Sequence, residues 1–368
     1  MAKAAKSKSL LTEQSQSFFR NYINNASPVG FETSGQKLWL DYLKPWVDTQ
    51  FTDVYGTAVG VINPDHPFKV VIEAHADEIS WFVNYITSDG LIYLKRNGGV
   101  DHQIAPGMRV IIHGKKGPVK AVFGWPAIHT RMHNPDQKEP QPKVDNLFLD
   151  CGARKKEEVT KLGIHIGAVV TYQEGFEELA YGNYIGRAFD NRIGGFMIAE
   201  VARLLKENKK KLPYGLYVVN AVQEEIGLRG AEMIARRIQP NVAIITDVTH
   251  DTSTPMISKI IEGDIVTGKG PSLAYAPAIH NKLLQFVEDI ADKKKIPVQW
   301  RTLSRSTGTD TDSFAYANDG CPSVLISIPL RYMHTTVEML HKDDIDNTIR
   351  LMYETLLALS PKTNLSYF

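Results

Sequence analysis

Residues 68–77, FKVVIEAHAD, decide the fold of this 368-residue chain, because a mostly apolar run stops at a histidine and an aspartate. Short apolar runs of this kind are typical of strands buried on both faces of a parallel sheet. Side chains that follow such a strand lie at the carboxyl edge of the sheet, where open α/β proteins bind ligands. His75 and Asp77 are therefore candidate site residues.

On both sides of this strand the sequence predicts a helical layer. Apolar spacing predicts helices over 11–25 and 35–44, before the strand. After Gly186 helices and strands alternate. The predicted helices are 191–211, 228–238, 280–295, 310–319 and about 343–359, and the predicted strands are 214–222, 241–248, 298–302 and 323–329. This alternation predicts an α/β fold in which helices cover both faces of a mixed sheet.

The stretch from about residue 80 to 180 has a different texture. Short β-rich segments alternate there with Gly, Pro and Asn-Pro-Asp, and only 155–163, KKEEVTKLG, has helical character. Such a pattern is typical of a small barrel. We therefore expect a discontinuous catalytic α/β domain of residues 1–79 and 181–368, interrupted by an inserted β-barrel-like domain of residues 80–180.

Composition narrows the class of protein. Lys and Arg total 42 against 41 Asp and Glu, so the net charge is +1 and predicts neither nucleic-acid nor membrane binding. No apolar run approaches the length of a membrane span, and two cysteines cannot form a Cys-rich zinc site. The basic N-terminus, MAKAAKSKSLL, lacks the apolar core of a secretory signal, so we expect a solvated tail and a cytoplasmic protein.

Acidic and histidine residues recur where predicted strands end. Taken singly, each has an ordinary structural interpretation, such as a helix cap for an aspartate or a solvated turn for a Glu-Glu pair. Together they form a set of two histidines and three carboxylates, which suits divalent Zn, Co or Mn. Five ligands exceed the need of one catalytic zinc, but they fit two ions that share one carboxylate. The five are His75, Asp190, Glu225, Asp247 and His334.

The motifs HADE, FDNRIGG, EEIGLRGA, TD and MHTTVEM, in this order, resemble the co-catalytic metallopeptidases of clan MH. The greatest resemblance is to the tetrahedral (TET) or deblocking glutamyl-aminopeptidase family, over about residues 15–359. The resemblance implies one metal on His75, Asp190 and Asp247 and a second on Asp190, Glu225 and His334. It also implies Glu224 as the general base, Asp77 as the support of His75, and a cis peptide bond after Asp190.

Two details qualify the resemblance. The family commonly has Met where this chain has Ala76, a change that spares both neighbouring polar residues. Gly308, Thr309 and Asp310 resemble a family motif near the substrate, although GTDTDSF is equally typical of a capped helix start. Asp77 and Asp190 are 113 positions apart and Asp190 and Glu224 only 34, so the insertion lies where the TET-like family carries it rather than where related deacylases do.

The resulting expectation is an aminopeptidase that removes N-terminal residues from short peptides, using water activated by two metal ions and Glu224. The alternatives are a two-metal amidohydrolase or deacylase acting on N-acyl amino acids, and a non-catalytic scaffold, which would need a damaged ligand set. In the resembling family the inserted domain mediates dimers that assemble into dodecamers, so a homo-oligomer is expected. Side-chain preference, native metal and subunit number do not follow from the sequence.

Overall fold

The computed structural model describes residues 10–131, 139–173 and 175–368, so most of the expected N-terminal tail lies outside the described residues. The helices are α1 Glu13–Asn24, α2 Thr33–Leu43, α3 Ile128–Arg131, α4 Lys156–Lys161, α5 Phe189–Glu207, α6 Arg229–Ile238, α7 Lys259–Glu262, α8 Asn281–Lys294, α9 Thr311–Ala315 and α10 Lys342–Ala358. None of these helices is long and apolar enough to cross a membrane.

The strands divide between a large sheet, a barrel and a small sheet. In chain order they are β1 Thr49–Thr52, β2 Ala58–Ile62, β3 Lys69–His75, β4 Ser80–Ile86, β5 Ile92–Asn97, β6 Arg109–Gly114, β7 Gly117–Gly124, β8 Phe148–Asp150, β9 Val169–Tyr172, β10 Glu177–Glu178, β11 Asn183–Gly186, β12 Gly215–Ala221, β13 Val242–His250, β14 Ser272–Tyr275, β15 Gln299–Thr302, β16 Ser323–Leu330 and β17 Glu338–His341.

The large sheet has the order β1-β2-β12-β3-β13-β16-β14-β15. Its four central strands, β12, β3, β13 and β16, run parallel, whereas β2 and β14 join them antiparallel. The carboxyl ends of the four parallel strands therefore meet at one edge of the sheet. The predicted mixed sheet is confirmed, with the quoted strand β3 at its centre.

Side chains alternate along β3 and so separate the two helical layers. Ala74 faces α5, where a Cβ added to Gly194 would lie 2.8 Å from the Ala74 Cβ, so only glycine allows this close approach. Glu73, on the opposite face, neighbours Asp310 at the start of α9. Helices α5 and α10 pack together on the first face, and α6 and α9 on the second. His75 shares the face of Glu73 and points toward the site.

The N-terminal helices close the first face with aromatic side chains. Helix α1 begins with a capping box in which Thr12 and Ser15 exchange hydrogen bonds. Its buried face carries Phe18 and Phe19, which lie against Phe196 of α5. These contacts fix α5, and with it the site residue at its start.

The chain between β3 and α5 contains a closed barrel in the order β4-β5-β8-β7-β6-β9. A separate apolar core fills it, with Trp81, Phe123 and Val170 buried inside. The predicted barrel is confirmed, and all of its strands lie within residues 80–172. Strands β10, β11 and β17 form a small antiparallel sheet beside it. The division of the chain into two domains at residues 80 and 180 stays a prediction.

Several boundaries differ from the sequence-based expectations. The hairpin of β1 and β2, which extends the sheet beyond β12, was not predicted. The helix expected over 310–319 is only α9, because the Ala315 carbonyl accepts the N–H of Cys321 through a turn. Strand β13 continues to His250, paired with β16 along its length, so Asp247 lies within a strand rather than after one.

Candidate metal centre

Five side chains converge at the carboxyl edge of the parallel strands. His75 ends β3, Asp247 lies near the end of β13, and Glu225 follows β12. Asp190 lies at the start of α5, and His334 follows β16. Chain segments far apart in sequence thus bring these groups into one site, as the strand order requires. The structure brings all five predicted ligands together.

Asp190 stands between two imidazoles. Its Oδ1 lies 3.2 Å from Nε2 of His75, and its Oδ2 lies 3.2 Å from Nε2 of His334. Asp247 lies 3.8 Å from the same His75 nitrogen, and Glu225 lies 3.4 Å from that of His334. Two groups of possible ligand atoms result, His75–Asp190–Asp247 and Asp190–Glu225–His334, each with its atoms within 4.8 Å of one another. Asp190 is common to both groups.

The backbone around Asp190 departs from regular helical geometry at the start of α5. Ala188 has a left-handed φ of 59°, and the Asp190–Asn191 peptide bond is cis. The amide of Asn191 donates to the Thr246 carbonyl at 2.8 Å and accepts the N–H of Gly194 at 3.1 Å. Asn191 thereby ties this segment to β13.

Glu224 and Glu225 reach the site because β12 stops before them. The strand ends at Ala221, Gln223 adopts a left-handed φ of 59°, and a 3₁₀ turn follows over Glu224–Ile226. In this turn adjacent side chains no longer point to opposite faces. The carboxylate of Asp77 accepts the N–H of Glu224 at 3.0 Å and that of Glu225 at 3.1 Å. Asp77, which is fully buried, fixes the turn.

The predicted support of His75 by Asp77 takes a looser form. The Oδ1 of Asp77 lies 3.5 Å from Nδ1 of His75, and that nitrogen has no hydrogen-bond partner among the described residues. A separation of 3.5 Å is long for a hydrogen bond. The strong contacts of Asp77 are therefore those with the turn that carries the glutamates.

His334 is fixed from two directions. Its Nδ1 lies 3.1 Å from the carbonyl of Gly99, so a proton on Nδ1 leaves Nε2 free as a ligand. A Cβ on Gly99 would lie only 3.0 Å from the ring, so a side chain there would displace the imidazole. Glu338 accepts the backbone N–H of His334 at 2.9 Å and, with its other oxygen, that of Asp190 at 3.1 Å.

The carboxylates of the site oppose one another electrostatically. Burial, with repulsion from Asp247 among other groups, raises the pKa of Glu224 to about 10, and burial raises the pKa of Asp247 to about 7. Burial opposes the charge on His334, but hydrogen bonds to Asp190 and Glu225 raise its pKa to about 12. The protonated imidazoles offset the crowded negative charge. Divalent cations would offset the same charge, so the residues present fit a metal pair.

Glu224, the predicted base, lies beside the predicted ligands without belonging to either group. Its Oε2 is 3.8 Å from Nε2 of His75, and it lines a cavity of about 200 Å³ with the ligands. Thr307, Gly308, Thr309, His250 and Arg301 form further parts of the wall. A carboxylate in this position is placed to exchange protons with a molecule bound in the cavity.

The expected substrate motif splits between two roles. Gly308 and Thr309 line the cavity, whereas Asp310 turns away from it and packs against the fully buried Glu73. Burial is the main cause that holds the pKa of Asp310 well above its usual value, and the charge of Glu73 adds to it. Asp312 holds this loop, since its carboxylate accepts the N–H groups of Thr307 and Gly308.

Sequence reasoning missed Gly99, Glu338 and Arg301. The Gly98-Gly99 pair marked a place of close backbone approach, and Glu338 lies inside the quoted MHTTVEM motif. Arg301 had no comparable signal, because it lies in a short strand whose neighbours are distant in sequence.

Comparison with known proteins gives a consistent result. The model of the M42 glutamyl aminopeptidase family matches residues 56–351. The lysyl aminopeptidase of Pyrococcus furiosus is 33% identical over 343 residues, 93% of this chain and 96% of that protein. A TET aminopeptidase from a marine sediment Thaumarchaeota archaeon superposes with a TM-score of 0.90 at 29% identity, covering 96% of this chain and 99% of that one. The TET1 peptidase of Pyrococcus horikoshii, which can assemble into a tetrahedron or a large octahedral shell, has a TM-score of 0.81 at 24% identity, covering 92% and 98%.

Proposed function

The chain belongs to the M42 glutamyl aminopeptidase family, and from that premise we propose that it removes N-terminal residues from short peptides with the help of two divalent metal ions. Zn, Co and Mn are the candidate ions, because the donor set contains imidazoles and carboxylates but no thiolate. The first ion would be held by His75, Asp190 and Asp247. The second would be held by Asp190, Glu225 and His334.

The observation that carries this proposal is the position of Asp190. Its two oxygens face His75 and His334, each at 3.2 Å, and each imidazole has a further carboxylate beside it. A carboxylate shared in this way is what a pair of ions requires. Glu225 adds an Oε1 that is buried without a hydrogen-bond partner among the described residues.

Ions bound there would lower the pKa of a water and polarise the scissile carbonyl. The positive charge of the ions would lower the raised pKa of Glu224, so that its carboxylate could accept the proton of the attacking water and deliver it to the leaving amine. The hydrogen bonds from their backbone N–H groups to Asp77 hold Glu224 and Glu225 in the turn. In this position Glu224 would serve as the base and Glu225 as a metal ligand.

The substrate's free α-amine would lie near the carboxylates of the site, which favours exopeptidase activity. The alternative is hydrolysis of N-acyl amino acids at the same centre. Purified protein should be assayed with a panel of aminoacyl amides and with the matching N-acetylated compounds, each with added Zn, Co or Mn. Release of the free amino acid only from unblocked substrates supports the aminopeptidase, whereas activity confined to the acetylated compounds identifies a deacylase.

The same proposal covers assembly and domain roles. The barrel within residues 80–180 exposes apolar side chains, with Tyr85 at 56%, Ile128 at 58% and Ile166 at 57% exposure. Apolar side chains are also exposed elsewhere on the chain, so the resemblance to the TET family, not exposure alone, points to the barrel. We assign the barrel to dimer formation and the dimers to a dodecamer, as the resemblance to the TET family implies. A cytoplasmic location stays a prediction.

A further inference from the structure

The two proposed metal sites differ in the part of the chain that surrounds their ligands. His75 and Asp247 lie on strands of the large sheet. The ion-pair and hydrogen-bond partners of their side chains, among the described residues, all lie outside residues 80–180. Glu225 and His334, by contrast, contact the barrel. Only the second site is therefore built partly on the inserted stretch.

A glycine pair makes this contact. Strand β5 ends at Asn97, and Gly98 and Gly99 follow it directly. The carbonyl oxygen of Gly99 lies 3.1 Å from Nδ1 of His334, and a Cβ added to Gly99 would lie 3.0 Å from the imidazole ring. A Cβ added to Gly98 would lie 3.4 Å from the Cβ of Glu225. The backbone of the pair thus lies against two of the three proposed ligands of the second ion.

The chain is anchored on both sides of the pair. Asn97 is buried, and its amide donates to the carbonyl of Val29 at 2.9 Å and to the hydroxyl of Ser80 at 2.8 Å. Val100, which follows the pair, is buried in the apolar core of the barrel. Two fixed neighbours leave the glycine backbone little freedom to move away from the ligands.

The two glycines are required for different reasons. Gly98 has a φ of 87°, a conformation that residues with a side chain rarely adopt. The φ of Gly99 lies outside that region, so an alanine there would not strain the backbone. At position 99 the limit is space alone, because a methyl group would meet the imidazole of His334.

The barrel borders the ligands but not the substrate cavity. Ile79, which packs against the barrel core, and Tyr172 of β9 line a narrow cavity together with Asp190, Glu225 and His334. The larger cavity that contains Glu224 has no residue of the barrel among its described lining residues. Any effect of the barrel on the reaction within this chain would thus pass through the ligands rather than through contact with substrate.

We infer that Gly99, with Gly98, is a positioning residue for the second metal ion, so that the barrel sets the affinity of that ion and not of the first. The inference rests on the proposed function, because it takes two ions to bind at these ligands. A proton held on Nδ1 by the Gly99 carbonyl leaves Nε2 of His334 free as a ligand. Loss of such a partner commonly lowers metal affinity by about tenfold to a hundredfold.

Gly99→Ala tests this directly, since it adds one methyl group against the imidazole. Chelated protein titrated with Zn²⁺, with bound metal measured per chain, should bind the second ion about tenfold to a hundredfold more weakly and the first with unchanged affinity. Gly186→Ala is the matched control, because its φ is also not positive and an added Cβ would lie no closer than 3.5 Å to its neighbours. It should bind both ions as the wild type does. Unchanged affinity for both ions in Gly99→Ala, or an equal loss at both sites, overturns the inference.

A double-mutant cycle shows whether Gly99 acts through His334. His334→Ala lacks the imidazole that the new methyl group would meet. Adding Gly99→Ala to His334→Ala should therefore leave the melting temperature of the metal-free protein unchanged, whereas Gly99→Ala alone lowers it. An equal decrease in both backgrounds means that the methyl group disturbs the packing of the barrel in general, and the positioning role is then wrong.

Activity in excess metal separates this inference from the proposed function. Excess Zn²⁺ should restore most of kcat to Gly99→Ala, because every ligand and Glu224 are still present, but it should not restore Glu224→Gln. If the wild type hydrolyses no peptide yet binds two ions, one of them more weakly in Gly99→Ala, the proposed activity fails and the positioning role stands. If the wild type is active and Gly99→Ala binds both ions normally, the positioning role fails and the proposed activity stands.

Discussion

The carboxylate of Glu338 accepts the backbone N–H of His334 at 2.9 Å across a sharp turn, in which His334 has a left-handed φ of 62°. The other oxygen of the same carboxylate accepts the N–H of Asp190 at 3.1 Å. One buried side chain thus sets the distance between the two segments that carry Asp190 and His334. Asp77 makes an equivalent pair of bonds to Glu224 and Glu225.

Replacing Glu338 by Gln removes one of the two acceptors and points an amide N–H at a backbone N–H. We expect the metal affinity of the site formed by Asp190, Glu225 and His334 to fall by about tenfold to a hundredfold. A loss of this size is usual when a side chain that holds metal ligands in place is removed. Metal titration followed by measurement of bound metal per chain tests this. Asp289→Asn, an exposed change on α8, is the control. If Glu338→Gln binds two ions with unchanged affinity, Glu338 does not hold Asp190 and His334 in position for metal binding.

Glu224→Gln keeps the shape of the side chain but removes the proton acceptor. We expect kcat to fall by at least about 10²–10⁴-fold, with both metal ions retained. Glu225→Gln should instead weaken one metal site, because a neutral amide is a poorer ligand for a dication. Metal content of the two purified variants, measured beside kcat, decides between the roles. Loss of a metal in Glu224→Gln, with two retained in Glu225→Gln, reverses the assignment.

Removal of metal should abolish activity and lower the melting temperature. Ions that bind only the folded chain stabilise it by mass action, and without them the carboxylates of the centre repel one another. Because the pKa values of Glu224 and Asp247 are raised to about 10 and about 7, metal binding should also release protons. Calorimetric titration in two buffers of different ionisation enthalpy measures that release. Unchanged rate and melting temperature after prolonged chelation contradict the two-metal proposal.

Glu32, at the start of α2, belongs to neither group of predicted ligands and gives a further pH dependence of stability. Its carboxylate accepts the N–H of Gly30 at 2.7 Å, while burial and then the charge of Asp77 raise its pKa from 4.5 to about 7. Because the folded pKa exceeds the unfolded one, its stabilising contribution is complete below about pH 4.5 and lost as the pH rises through 7. The loss amounts to at most about 3 kcal/mol.

Glu32→Gln should therefore raise the melting temperature of the metal-free protein relative to wild type at pH 8, and by much less at pH 5. Thermal unfolding of both proteins at the two pH values provides the measurement. Glu177→Gln, an exposed change in β10, should show no such difference between the pH values. A stabilisation that is equal at pH 5 and pH 8 would show that ionisation of Glu32 is not its cause.

The resemblance to the TET family, which assigns the barrel to dimer formation, predicts association in solution. Light scattering at micromolar concentration should give a mass several times that of the 41.2 kDa chain, with a dodecamer as the expected limit. Ile128→Asp and Ile166→Asp should reduce this mass by burying charge in the contact. Val54→Asp, which alters an apolar residue 96% exposed between β1 and β2, is the control. A clean wild-type monomer would contradict the assembly.

Local pattern was sufficient to predict the parallel strands, the barrel and all five converging side chains. Four of the five predicted ligands lie at or near the end of an apolar strand, and a continuous apolar run of this kind stands out in the sequence, whereas Asp190 lies at the start of α5. Arg301 could not be found in this way, because its position depends on β14 and β15 lying beyond β16 in the sheet. Glu338 was also hidden, since a carboxylate that accepts two backbone N–H groups leaves no pattern in the sequence. The order of the strands in the sheet, and the hydrogen bonds that side chains accept from backbone N–H groups, become visible only in the fold.

The distribution of the five converging side chains along the chain has a consequence for biosynthesis. The first, His75, lies near the N-terminal end of the 368 residues and the last, His334, near the C-terminal end. A ribosome makes the chain from its N-terminus, so His75 and Asp190 are synthesised before His334. Chains that stop short of β16 and the turn after it would lack His334, one of the three proposed ligands of the second ion. In the cell, metal loading would thus distinguish completed chains from prematurely terminated ones.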